Sequence, residues 1–190
     1  MSAPSTNVPD VAAVIAEFRR ALREPGPSAQ NGVLELLLGL HHNNALQWDR
    51  EDATRRDDAD DRAVANAKRD IDALNAKRHE FVEAIDAALA AVVDQSPSAP
   101  PTTESPAMVF DRLSVLVIRI ASTEGAARAD GVDRLYAARL PVLHEQLELL
   151  QAALEALFDD VRTGRRRFVP YRGLKLYGGP GSGGGDSHPD

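Results

Sequence analysis

IDALNAKRHEFVEAIDAALAAV, residues 71–92, decides the fold. Ile71, Leu74, Phe81, Ile85, Leu89 and Val92 recur near the 3.6-residue period, which puts them on one face of an α-helix with polar residues between. LPVLHEQLELLQAALEALFDDV, residues 140–161, reads the same way: Leu140, Leu143, Leu150, Leu154, Phe158 and Val161 repeat the spacings at a constant offset of 69 residues. Each stretch follows another helical pattern, one over about 32–56 and one over about 106–129. Those two align through Leu40 with Leu113 and Glu51-x-x-x-Arg55 with Glu124-x-x-x-Arg128. The expected fold is all-α: a four-helix bundle-like arrangement of two pseudo-repeated helical hairpins, with a short N-terminal helix and a basic C-terminal strap.

Punctuation fixes the outer elements. Val11, Val14, Ile15, Phe18 and Leu22 form one stripe of a short helix, with Asp10 as N-cap and Pro25-Gly26-Pro27 as its end. Asp57-Asp58-Ala59-Asp60-Asp61 reads as the turn of the first hairpin, its acids suited to the positive N-terminus of the next helix. Residues 94–105 (DQSPSAPPTTES) have the composition of a mobile linker. Ser105-Pro106 opens the fourth helix as N-cap and first-turn proline, and Asp130-Gly131 closes it. Pro141 predicts a kink or a late start in the last helix, and Gly164 is its expected C′ residue. The domain reading is one helical domain over 11–177, with a disordered tail over 1–10 and a Gly-rich disordered tail over 178–190.

Composition narrows the class. At 190 residues with 43% hydrophobic and 27% charged content, the chain has globular proportions and room for one core. Aromatics at 5%, with Ala and Leu dominant, favour helix over strand. The absence of cysteine excludes a disulfide framework, a thiolate zinc site and a cysteine nucleophile. No apolar run approaches the roughly 18 residues of a membrane span, and residues 1–10 lack the pattern of a secretory leader, so the cytoplasm is the expected location. The net charge of −7 is uneven: residues 161–177 hold six basic residues and no acid, which leaves 16 basic against 29 acidic residues elsewhere. Such an acidic body repels nucleic acid, and the strap is expected either to fold back on it or to help hold an anion.

The second helix carries the chemistry. At about 100° per residue, Leu37, Leu40, His41, Asn44, Trp48, Glu51, Asp52 and Arg55 share one face that turns from apolar to polar without changing side. On the fourth helix the corresponding face ends in Glu124 and Arg128. One reading makes the two Glu–Arg pairs ion pairs, buried between hairpins or ordinary i, i+4 surface pairs. Another makes the face a polar pocket, with Glu51 or Asp52 as base or cation ligand, His41 as proton carrier, and Arg55 and Arg128 holding an anion. No metal signature is present: neither Glu-x-x-His nor His-Glu-x-x-His occurs, and a divalent cation on Glu51 or Asp52 is not demanded by spacing. No phosphate-loop or dinucleotide pattern occurs either, so no cofactor is assigned.

Three segments in order carry a resemblance. They are His41-His42-Asn43-Asn44-x-x-x-Trp48-x-x-Glu51-Asp52-x-x-Arg55, Asp111-Arg112-Leu113-Ser114-Val115-Leu116, and Gly164-Arg165-x-Arg167-x-x-x-Tyr171-Arg172-x-x-Lys175-x-Tyr177. With them the chain resembles the uncharacterised bacterial family known as domain of unknown function 4254, over about residues 32–177. Asp49 stands where the family pattern has a His after the Trp. The resemblance implies that Asn44, Trp48, Glu51, Asp52, Arg55, Asp111, Arg112 and the strap belong to one site. It also implies, loosely, a setting in cell-envelope glycan metabolism.

Three functional readings follow. The first is a binding or scaffolding module that takes a small anionic ligand, or a protein partner, through a cleft between the hairpins. The second is a small enzyme on a phosphorylated or sugar-nucleotide substrate, with Glu51 or Asp52 as acid–base group or Mg²⁺ ligand, and Arg55, Arg128, Arg165, Arg167, Tyr171, Arg172 and Lys175 around the phosphate. The third is a homo-oligomer whose polar stripe is the interface.

Overall fold

The computed structural model describes residues 8–24, 32–55, 61–128 and 134–173. Five helices follow one another: α1 (Val11–Arg23), α2 (Val33–Thr54), α3 (Asp61–Val92), α4 (Pro106–Arg128) and α5 (Arg134–Arg162). α2 packs mainly on α3 and α4 mainly on α5, so the chain is two helical hairpins, joined through α2 against α4, with α1 laid across them. The Pro-Gly-Pro segment, the acidic turn, Asp130-Gly131 and both outer tail expectations, apart from Val8 to Asp10, fall outside the described residues.

The core forms where the stripes meet. Phe18 of α1, Leu37 and Leu40 of α2, Ile85 and Leu89 of α3, Phe110 and Leu113 of α4, and Leu154 of α5 are fully buried. Burial of such side chains contributes roughly 1.5–3 kcal/mol each and outweighs helix propensity as the source of stability. The first hairpin closes tightly at Gly39, where a Cβ would lie 2.6 Å from Cε1 of Phe81. Gly39→Val is therefore expected to lower stability by about 2 kcal/mol, read from the urea midpoint, because the added methyls displace the Phe81 ring. A change below about half a kcal/mol would mean that the ring swings aside freely.

The helix ends follow the local chemistry. Asp10 accepts a hydrogen bond from the Ala13 amide (3.1 Å), as an N-cap should. Gly164, at φ +72°, ends α5 with its own amide on the Val161 carbonyl (3.0 Å) and the Arg165 amide on the Asp160 carbonyl (2.8 Å). That is the left-handed cap in which two otherwise unpaired carbonyls gain donors. α5 runs unbroken through Pro141, about two turns from its start. At α4, Ser105 Oγ receives the Met108 amide (3.4 Å), and Asp86, reaching over from α3, takes the Ala107 amide (3.0 Å).

Residues 94–105, expected to be a mobile linker, have fixed partners instead. They pair with the strap in a short parallel bridge: the Thr102 amide donates to the Arg167 carbonyl (2.8 Å) and the Arg167 amide to the Pro100 carbonyl (3.1 Å). Phe168 is buried beneath this bridge, and its amide donates to Gln95 Oε1 (2.8 Å). Pro and Ser in the linker suppress helix but leave carbonyls free to accept, and that is the use made of them.

Candidate functional site

The polar face of α2 divides in two. Its first half is sealed beneath α4. His41 Nδ1 lies 2.9 Å from Ser114 Oγ, and Asn44 Nδ2 donates to Ser114 Oγ (3.1 Å) and Asp111 Oδ1 (2.9 Å). From α3, Arg78 closes the chain with Nε on Asp111 Oδ1 (2.8 Å) and Oδ2 (3.0 Å), and Nη2 on Oδ2. His41, Asn44, Asp111 and Ser114 are all buried. This network joins three helices, and the hydrogen bond with Asp111 raises the Arg78 pKa.

His41, one of the candidate proton carriers, is sealed away from solvent. Its ring stacks on Phe18 (4.4 Å between centroids) and is 1% exposed. Burial pulls its pKa down to about 4, partly opposed by the Phe18 backbone and assisted by His42. The ring is therefore neutral in the working range and out of reach of any ligand in the cleft. The same sealing shows that this half of the stripe is an intramolecular contact, not a surface offered to another copy.

The second half opens outward. Trp48, Asp52 and Arg55 of α2, Arg119 of α4, and Tyr136 and Arg139 of α5 line a cleft of about 670 Å³. The lining holds three guanidiniums against one carboxylate. Arg55 pairs with Asp52 (3.3 Å) and more loosely with Glu51 (3.7 Å). Arg119 and Arg139 have no carboxylate partner among the described residues; Arg119 lies over the Trp48 ring (6.0 Å) and Arg139 over Tyr136 (5.4 Å). Glu51 stands beside the cleft, accepting from Gln47 Nε2 (3.1 Å). His41 Nε2, in the sealed half, and Asn44 Oδ1, Gln47 Oε1 and Trp48 Nε1 are buried without a hydrogen-bond partner among the described residues. Each such atom costs about 1–3 kcal/mol, and the last three fall within five residues of α2 at the cleft.

The two Glu–Arg pairs do not form the buried ion pairs that were one expectation. Arg55 and Arg128 are 69% and 74% exposed, each paired along its own helix. Nor do they meet: Glu124 and Arg128 line a different cavity of about 550 Å³ with Arg19, Arg23 and His144. Arg112 binds Glu104 (2.7 Å) and rims a third groove, next to the cleft.

The strap lies apart from the polar stripe. Arg165 pairs with Asp160 (2.8 Å), Arg167 Nε donates to the Ala99 carbonyl (3.0 Å), and the Tyr171 amide donates to Asp86 Oδ2 (2.9 Å). The Tyr171 hydroxyl meets His79 Nδ1 (3.0 Å), Arg172 is exposed, and none of these residues lines the cleft or the groove beside it. Lys175 lies outside the described residues. Asp86 is fully buried between the strap and the start of α4, and burial raises its pKa against the hydrogen bonds from Ser105, Tyr171 and Ala107.

Sequence reasoning missed Arg78, Arg119, Tyr136 and Arg139. Only Arg78 left a signal, since it sits in the apolar stripe between Leu74 and Phe81. Among the described residues no three His, Asp or Glu side chains converge as metal ligands, and no helix is long and apolar enough to cross a membrane.

The model of the family described as "Protein of unknown function (DUF4254)" matches residues 34–169, and the chain belongs to that family. No curated protein and no solved structure matches it. The matched span takes in α2 to α5 and the first half of the strap, and so contains both the buried network and the cleft.

Proposed function

We propose that this protein is a cytoplasmic binding module that takes a small anionic ligand in the cleft between α2, α4 and α5. One observation supports this above the others: Arg119 and Arg139, without carboxylate partners among the described residues, flank one cavity, each over an aromatic ring. Guanidiniums held against ring faces keep their N–H edges available, and phosphate or carboxylate matches those edges in pairs. A cavity of about 670 Å³ is in the range of small-molecule sites.

A panel of nucleotides, phosphosugars and pyrophosphate, tested by thermal shift and calorimetry, checks the reading. A ligand at 100 times its dissociation constant adds about 2.7 kcal/mol, a shift of several degrees. Arg119→Ala and Arg139→Ala are each expected to remove that shift while leaving the unliganded midpoint almost unchanged. A shift that persists in the double variant sinks the proposal.

The enzyme reading now rests on Asp52, which shares the cleft with the arginines, while Glu51 lines none of it. If the bound ligand is turned over, Asp52→Asn should lose turnover and keep affinity.

A further inference from the structure

The outer face of α5 has no partner among the described residues. Val142 and Leu149 are 53% and 64% exposed, Ala138, Ala153 and Ala156 extend the line beyond them at both ends, and Glu145 and Gln146 stand at its two edges on the turn between. At 1.5 Å per residue the line is about 27 Å long. Scattered exposed apolar residues are ordinary, but apolar residues aligned along one helix face with charge at its edges suit a contact.

The two flanks of that line differ in charge. On one side, Gln146, Leu150 and Ala153 slope into a groove of about 600 Å³ floored by Val115 and Leu116 of α4 and rimmed by Arg119, which has no carboxylate partner among the described residues, and by Arg78 and Arg112, which already hold Asp111 and Glu104. On the other side, by helical geometry, lie Glu145 and Glu148. Neither glutamate has a hydrogen bond or ion pair among the described residues, and no acid lines the groove.

We propose that this face is a homodimer interface, formed about a two-fold axis parallel to α5. A two-fold in that direction sets the apolar lines against each other and exchanges their flanks. The acidic flank of one copy then lies over the basic groove of the other. The heights agree as well: the groove brings Arg119 and Arg112 alongside the span from Gln146 to Ala153, which is the level of Glu145 and Glu148. An isologous interface needs this kind of self-complementarity, with one patch supplying both wedge and socket. Leu149 is the wedge, and Leu116 with Leu150 the socket. A partner with an acidic amphipathic helix would satisfy the groove but leave the glutamates unpaired, so the second copy fits better.

Sedimentation across a concentration series tests this on the full chain. Wild type is expected to pass from monomer to dimer, with a midpoint that weakens as salt rises, because the charged flanks are exposed. Leu149→Glu, at a surface position, should weaken association at least about a hundredfold while circular dichroism stays unchanged. Glu145→Arg with Glu148→Arg should do so by charge alone, and Leu149→Met should retain the dimer. A wild type that stays monomeric throughout, or a dimer indifferent to Leu149→Glu, overturns the proposal. Anion binding measured on monomeric Leu149→Glu keeps this result separate from that of the cleft.

Discussion

Asp111→Ala is expected to lower folding stability by about 3 kcal/mol, the largest loss from any single substitution in the polar stripe. The carboxylate takes both the Nε and Nη2 donors of Arg78 and the Asn44 amide (2.9 Å), and it is buried. Truncation strands a guanidinium whose side chain is only 31% exposed, together with a buried amide. Breaking a buried pair from one side costs about 3–5 kcal/mol, and the partial exposure of Arg78 argues for the lower end. Removing both charges is a different experiment. Asp111→Leu with Arg78→Met leaves no orphaned charge and should recover much of the loss, which a double-mutant cycle in urea would report as strong coupling. Asp111→Ala within half a kcal/mol of wild type would show that water already satisfies the guanidinium, and that the network does not hold the hairpins in register.

Arg78 also shows how far the sequence could be read. The stripe Ile71, Leu74, Phe81, Ile85 is a helical one in any bundle, so α3 and its buried face were legible from spacing alone. The same stripe passes through Arg78, and a charge at that position means a buried partner. Its counterpart at the 69-residue offset is Leu147, fully apolar and buried. At this position the offset carries a shared helical period without a shared environment, although Ile85 with Leu154 and Leu89 with Phe158 are buried alike. Val92 and Val161 make the same point: Val92 is exposed, with Val93 taking the buried place, while Val161 is buried. The cleft was half legible. Trp48, Asp52 and Arg55 stand out because an apolar stripe should not end in them. Arg119, Tyr136 and Arg139 look like ordinary surface residues, and only the packing of α2 and α5 on α4 gives them a common cavity. Of the two readings of the strap, folding back on the body is the one the contacts follow, with Phe168 buried and the Tyr171 amide on Asp86. In the fold, Arg165 is occupied by Asp160 at the end of α5 and Arg167 by the carbonyl of Ala99, which belongs to a linker whose composition suggested mobility.

Acidification should cost this fold about 3 kcal/mol through His41 alone. In the unfolded chain the imidazole titrates at its ordinary value of 6.5; in the fold, burial lowers that to about 4. The folded state thus binds the proton less readily than the unfolded state. The stability gained from keeping the ring neutral is complete above pH 6.5 and is lost as pH falls from there through 4. At about 1.4 kcal/mol per unit, roughly 2 kcal/mol goes between pH 6.5 and 5, before most carboxylates begin to protonate. The surroundings explain why the site cannot accept the charge. Phe18 of α1 covers one ring face, His42 is the nearest titratable neighbour on α2, and α4 offers only Ser114. Asn44 already donates to the Ser114 oxygen, so the serine proton is free to point at Nδ1, and the ring is then an acceptor, which an imidazolium cannot be. Urea unfolding at half-unit steps from pH 7 to 4.5 reads the effect. Wild type should lose stability steadily below 6.5, while His41→Gln, less stable at neutral pH, should hold nearly level down to 5. Parallel curves for the two proteins would mean that the ring protonates inside the fold, with the helices parting locally to let water reach it.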